Sequence, residues 1–236
     1  MSLSASTRTP GFTLSEVFGG PGTSPGAATL RTLLVASALF APALDAVVNT
    51  SAGTSVTFTT QPGTTAPDTA APVFSAADAA MKFGRGSVAH NAALAYFAHD
   101  RTGALWIATP APAAGPAASV TLTPTGAPTS ACVVRLYVAG RVLEVALSST
   151  DTPSTIGMAL ARAVNQAADL PVTATNVWAT GVVTITAKCT GLSGNRVTVA
   201  VEIVTATTSR RSTAAALAPS LAGLTLTLAG GAGAGG

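Results

Sequence analysis

Two rhythms of apolar residues run along this chain, one near 3.6 and one at 2, and glycine and proline separate them. Ile156, Ala159, Leu160, Ala163, Val164 and Ala167 recur with helical spacing and make one stripe, while Arg162, Asn165 and Gln166 take the other side. Asp151 or Thr152 caps its start, Pro153 falls in the first turn where no amide is missed, and Pro171 closes it. Ser75 followed three residues later by Asp78 has capping-box spacing, which predicts a helix that stops at Gly84, where glycine accepts a left-handed cap. Ser87 caps a further helix with Val88, Leu94, Tyr96 and Phe97 as its apolar residues, ending before Asp100 and Gly103. Residues 105–108 then read as a buried strand.

The other rhythm predicts strands. Residues 29–36, with Leu30, Leu33, Leu34 and Val35, form a run suited to the buried first strand of an α/β layer. Residues 41–72 hold Pro42, Pro62, Pro67 and Pro72 around one alternating stretch, 55–60, where Val56 and Phe58 share a face; this reads as a loop with a small hairpin strand. Val120 and Leu122 open another strand. Residues 133–138 and 142–147 flank Ala139-Gly140 as a hairpin whose register Arg141 leaves open. Further strands are expected at 172–175, 182–187, 197–204 and 224–228, turned by Gly181 and by residues 191–195. Near the start, Phe12, Leu14, Glu16 and Phe18 share one face if extended, within a stretch otherwise full of breakers. Such a lone strand cannot bury itself, so it must lie on its own domain or join an edge strand of another chain.

These elements predict an extended N-terminal arm (1–27), then an α/β domain with a Rossmann-like layer (28–109) carrying an irregular insertion (41–72). A Pro/Gly linker (110–118) leads to a smaller β-rich α+β domain (119–229) and a Gly-rich tail (230–236).

Charge changes the picture. Only 9% of the 236 residues are charged, against about 25% in an average soluble domain. Ala, Thr, Ser and Gly leave a weakly polar surface of the kind neighbouring subunits cover, which favours an assembly component over a freely diffusing enzyme. The mean hydropathy of +0.50 does not reflect a membrane span, because the longest apolar run, 33–44, contains Pro42 and is shorter than the ~20 residues required. No membrane partner is expected. The twelve cations are scattered, with Arg210 and Arg211 the one adjacent pair, so a nucleic-acid partner is not expected either. Cys132 and Cys189 belong to no C-x-x-C pair and read as two reduced thiols, a pairing across adjacent strands remaining open.

Candidate chemistry is thin. His90 and His99 sit about 180° apart on one helix at 100° per residue, so they cannot share a metal. Ser87 lacks the Gly-x-Ser-x-Gly surround of a hydrolase nucleophile and is better explained as a cap. The corner Phe83-Gly84-Arg85-Gly86-Ser87 could offer amides to an anion but lacks the Gly-Lys-Ser/Thr ending of a phosphate loop; Arg85 reads as an interface or capping residue. The aspartates fall mostly at predicted turns and caps. No catalytic residue, cofactor or metal site is expected, and the chain is not read as an enzyme.

Two stretches carry a resemblance. SAADAAMKFGRGS ahead of an Ala-rich helix and an LW strand, and then SSTDTPSTIGMALARAVNQAADLPVTAT with VVTITAKCTGLSGNRVTV, resemble the tail sheath protein of Mu-like contractile bacteriophages. The likeness covers most of residues 29–230, and its motifs are structural corners. It implies a structural subunit that polymerises with copies of itself around a tail tube, meets a baseplate and contracts by rigid-body rearrangement. The virion tail sheath, assembled in the host cytoplasm, or a related contractile injection system would be its place. The resemblance also implies that the arm at Phe12, Leu14, Glu16 and Phe18 adds a strand to a neighbouring subunit. Sheath subunits continue past the Gly-Gly-Ala-Gly of residues 230–233 into a second half, so this chain is expected to be the front part of a longer product or a shortened relative. The alternative is a secreted or surface-displayed β-rich adhesion module, motivated by Thr-rich strands and by Arg31 with the apolar, Ala-x-Ala-like run after it; against it, Pro42 occupies the would-be cleavage site. The Asn49-Thr50-Ser51 sequon adds little.

Overall fold

The computed structural model describes residues 31–40, 42–100, 104–128, 131–190, 194, 196–205 and 225–229. The arm residues Phe12, Leu14, Glu16 and Phe18, most of the 191–195 turn and the 230–236 tail lie outside the described residues. The chain divides into two compact units, Met1–Ala41 with Pro62–Pro112, and Pro42–Gln61 with Ala113–Gly236.

The first unit holds a three-stranded sheet in the order β1 (Arg31–Val35), β5 (Ala104–Thr109), β4 (Thr69–Val73). β1 runs parallel to β5, and β4 runs antiparallel to it. Helices α1 (Ala76–Phe83) and α2 (Val88–His99) follow one another directly and cover one face of that sheet. Their core is Val73, Ala79, Phe83, Ala89, Ala93, Leu105 and Ile107, with Leu34, Ala71, Tyr96 and Phe97 packed around it.

This corrects the expected Rossmann-like layer. Strand and helix alternate only once, the third strand is antiparallel, and the helices sit in a single crossover, so no doubly covered parallel sheet is built. Twelve short strands and three helices among the described residues make the chain mostly β, and nine of the strands belong to the second unit, which is therefore not the smaller one. β4 escaped the sequence reading because it contains Pro72, a residue that sheets tolerate only at an edge. Of the four apolar residues expected to mark α2, Tyr96 and Phe97 pack against the core while Val88 and Leu94 are exposed, and Ala89, His90 and Ala93 are the residues buried.

The expected irregular insertion contains a two-stranded hairpin, β2 (Leu44–Ser51) and β3 (Thr54–Thr60), with a register shift between Asn49 and Ser51 and a turn at Gly53, φ 82°; β3 falls on the strand expected at 55–60. It belongs to the second unit. There it joins a four-stranded antiparallel sheet, β12 (Thr225–Ala229), β6 (Ala117–Thr123), β10 (Val183–Thr190), β9 (Val172–Asn176), and a three-stranded one, β11 (Val199–Thr205), β7 (Cys132–Val138), β8 (Arg141–Leu147). Helix α3 (Pro153–Gln166) contributes Ile156, Leu160, Ala161 and Val164 to the core between them. Val48 of the hairpin is fully buried in that core, with Phe58 against its rim.

Three amide side chains lock the hairpin and helix to β9. The Asn49 amide N–H donates to Asn176 Oδ1 (2.7 Å), Asn49 Nδ2 donates to the Asn176 carbonyl, and Asn176 Nδ2 donates to the Asn49 carbonyl (3.0 Å). Asn165, expected on the solvent side of α3, instead donates Nδ2 to the Ala174 carbonyl (2.6 Å) and accepts from the Ala174 amide (2.9 Å). Each bond satisfies a backbone group that the ladder leaves over. The β7–β8 turn places Ala139 at φ 50° and Gly140 at φ 78° and pairs Val138 with Arg141, which resolves the register.

Candidate functional site

The corner at Phe83, Gly84, Arg85, Gly86 and Ser87 forms from strictly local chemistry. Ser75 Oγ accepts from the Asp78 amide (3.0 Å), and Asp78 reaches back to accept from the Phe74 amide (3.1 Å), which caps the start of α1. Gly84 at φ 83° ends the helix, Gly86 at φ 79° reverses the chain, and Ser87 Oγ accepts from the His90 amide (3.0 Å) to start α2. Phe83 and Ser87 are buried, and Arg85 is exposed.

Counting donors shows what the corner can do. The Gly86 amide donates to His90 Nδ1 (3.1 Å), the Ser87 amide to the Gly84 carbonyl (3.2 Å), the Ala89 amide to the Ser37 carbonyl (3.0 Å) and the Asn91 amide to the Ser87 carbonyl (3.0 Å). These amides, with that of His90, are therefore committed to the protein rather than left for a phosphate. The carbonyl end of α1 is equally complete: Ala80 accepts from Gly84, Met81 from Thr64, Lys82 from Thr65 and Phe83 from Leu39. The corner is a structural joint in which segments 36–40 and 62–65 are stitched to the helix end.

Other reactive groups are similarly occupied. His90 is buried with Nδ1 accepting, so its proton sits on Nε2, and His99 lies exposed in the last turn of α2. Among the described residues no three of His, Cys, Asp and Glu come close enough to hold a metal ion. Cys132 and Cys189 are buried and unbridged, and burial, with the charge of Asp151 adding to it, pushes the Cys132 thiol up, away from a reactive thiolate. Lys188, also buried, donates Nζ to the Ala168 carbonyl (2.9 Å) just beyond the end of α3, where a cation is favoured. Among the described residues no helix is long and apolar enough to cross a membrane.

The surface that stands out is the other face of the first unit's sheet. Register places Leu33, Trp106 and Pro72 in one row across the strands and Val35, Ala108 and Ala70 in the next, both turned away from the helix-packed residues. Leu33 is 40% exposed and Val35 53%. No charged side chain interrupts these two rows. Pro72, Trp106 and Ala108 are half-buried, so Leu33 and Val35 are the large apolar residues exposed on this face, and exposure of that kind marks an interaction surface. The two edges of this sheet also differ. On β4, Pro72 has no N–H to offer, and its carbonyl accepts from Lys82 Nζ (2.6 Å), which is held by Asp78 (2.9 Å) and lies 5.3 Å from the Phe74 ring. That edge is blunted. On β1, the outward edge is paired with no other strand among the described residues.

Sequence reasoning found the corner because caps are read from neighbours in the chain. It missed the face because the rows come from three strands far apart in sequence, one of them hidden by Pro72. The continuous apolar run Leu33-Leu34-Val35 has no alternation that would tell the exposed side from the packed one. The chain matches no family model, and no curated protein is significantly similar to it.

Proposed function

We propose that this chain is a structural assembly subunit, one of many identical copies, of the kind that builds a contractile tail sheath or a related injection device. The observation that carries the reading is the exposure of Leu33 and Val35 on β1, a strand that lies at the edge of its sheet among the described residues, in a chain with few charges to solvate it. The resemblance of residues 75–87, 148–175 and 182–199 to Mu-like sheath proteins supplies the kind of assembly. Copies joined head to tail through unlike surfaces build an open helix, because such contacts do not close on themselves. Rigid units that slide from an extended to a contracted array would supply the mechanical work. Partners are other copies, with a tube and a baseplate following from the resemblance.

The secreted adhesion module fits less well. Cleavage near Ala43 would remove β1, which pairs along its whole length with β5, together with the buried Ala36, Ala38 and Leu39. The sequon nitrogen of Asn49 is engaged with Asn176.

Sedimentation and negative-stain electron microscopy of the chain at rising concentration test the proposal. Open-ended ordered polymers are expected, and Val35→Glu is expected to suppress them while leaving the circular dichroism spectrum unchanged. A single compact particle at every concentration would refute the assembly role.

A further inference from the structure

We propose that the outward side of the helix pair α1–α2 is the second half of the contact between copies, seated against Leu33 and Val35 of the next copy. The composition of α2 leads there. A helix that faces water carries charged residues on its outer side, and one that is apolar all round is buried. Val88–His99 holds no Asp, Glu, Lys or Arg, and its exposed residues are Val88, Leu94, Ala95, Ala98 and His99. Charge returns past its two ends, at the exposed Arg85 and Asp100, the pattern of an apolar patch inside a polar rim.

α1, packed beside it, adds to the patch. Phe74 is 75% exposed and Met81 65%, the two highest values for large apolar side chains among the described residues, with exposed Ala77 between them. The charges of α1 do not counter this, because Lys82 Nζ and Asp78 Oδ2 pair at 2.9 Å, with the Phe74 ring 5.3 Å from the cation.

The occupant follows from size and placement. α2 has 12 residues, a length of about 18 Å, and packed helices lie about 8–10 Å apart. The pair therefore offers roughly 300–400 Å², short of the ~800 Å² per partner of a stable two-body interface. A closed dimer through this side alone would be weak. The same unit carries a second, unlike patch on the reverse of its sheet, at Leu33 and Val35. Seating one copy's helices on the next copy's β1 buries both patches in every copy within a row. Since the two patches are unlike and lie on opposite sides of one unit, the row does not close on itself.

This deepens the assembly reading and rests on it. Sedimentation of full-chain variants, at a concentration where the parent polymerises, is the test. Met81→Lys and Val35→Glu should each lower sedimented polymer about tenfold or more, because each buries an unpaired charge. The chain carrying both should recover most of the parent's polymer, since lysine and glutamate then meet across the contact. Val142→Glu, at an exposed position of the second unit, should polymerise as the parent does, and circular dichroism should be the same for all. A Met81→Lys chain that polymerises like the parent would overturn the inference and leave the assembly reading standing. So would a double variant no better than either single one, which would place Met81 against another surface, or equal suppression by Val142→Glu, which would show a general effect of added charge. A parent that forms no polymer at any concentration would overturn both.

Discussion

Gly63 shows how a single hydrogen atom in place of a side chain holds the first unit together. Its amide donates to the Leu39 carbonyl (2.8 Å), and its α-carbon passes so close to α1 that an added Cβ would fall on the Lys82 carbonyl oxygen and the Phe83 backbone. These are backbone atoms, which cannot swing aside as a side chain can. Gly63→Ala should therefore force the 62–65 segment off the helix end and leave the carbonyls of Met81 and Lys82 without Thr64 and Thr65. The expected loss is about 1–3 kcal/mol, in the range of overpacked cores, read as a lowered urea midpoint. Unchanged stability would mean that this close approach is not made in solution. Gly63 was invisible in the sequence, where it was one more breaker between prolines; nothing local says that a glycine is required by a helix end twenty residues away. His90 is a parallel case, a polar residue on the buried face of α2 because a glycine amide there needs an acceptor.

At the level of elements, what was legible depended on range. All three helix starts, at Ser75, Ser87 and Thr152, were readable, since each cap bonds an amide three residues on. The destination of the β2–β3 hairpin was not, because it is set by Asn176 and by a core formed more than a hundred residues later. Helix α3 offers a quantitative test of cap chemistry. The Asp151 carboxylate accepts from the Ser148 amide (2.7 Å), from Thr155 Oγ1 (3.0 Å) and from Ser148 Oγ (3.1 Å), and these bonds hold its pKa below the ordinary aspartate value against the opposing effect of burial. A carboxyl whose folded pKa is depressed stabilises the fold fully above its unfolded value, near pH 4, and loses that contribution as pH falls through the folded value. Asp151→Ala should thus cost about 1 kcal/mol at pH 7, the size of a lost cap. The gap from the parent should narrow in urea titrations below pH 4. A gap that stays constant down to pH 2 would show that the ionised carboxylate contributes nothing.

For the molecule as a whole, the decisive quantity is the scarcity of charge together with where the charges go. Lys82 pairs with Asp78 at 2.9 Å and Arg135 with Glu144 at 2.8 Å, and the latter bond is the main reason the Arg135 guanidinium is held above its usual range. Tyr137 adds a hydrogen bond to Glu202 (2.6 Å) on the same sheet. These five charges are tied up across neighbouring strands and turns, where they order the subunit but offer little to a partner. Association, on the proposed reading, then rests on apolar rows such as Leu33 and Val35 and on backbone pairing at a strand edge, neither of which is screened by ions. Raising salt from 0.05 to 0.5 M shortens the screening length from roughly 14 Å to roughly 4 Å, so a charge-driven polymer would dissolve over that range. Sedimented polymer should instead stay constant or increase, because excluded salts strengthen apolar burial. A tenfold fall in polymer over the same range would assign the contact to scattered surface cations and would remove Leu33 and Val35 from the interface.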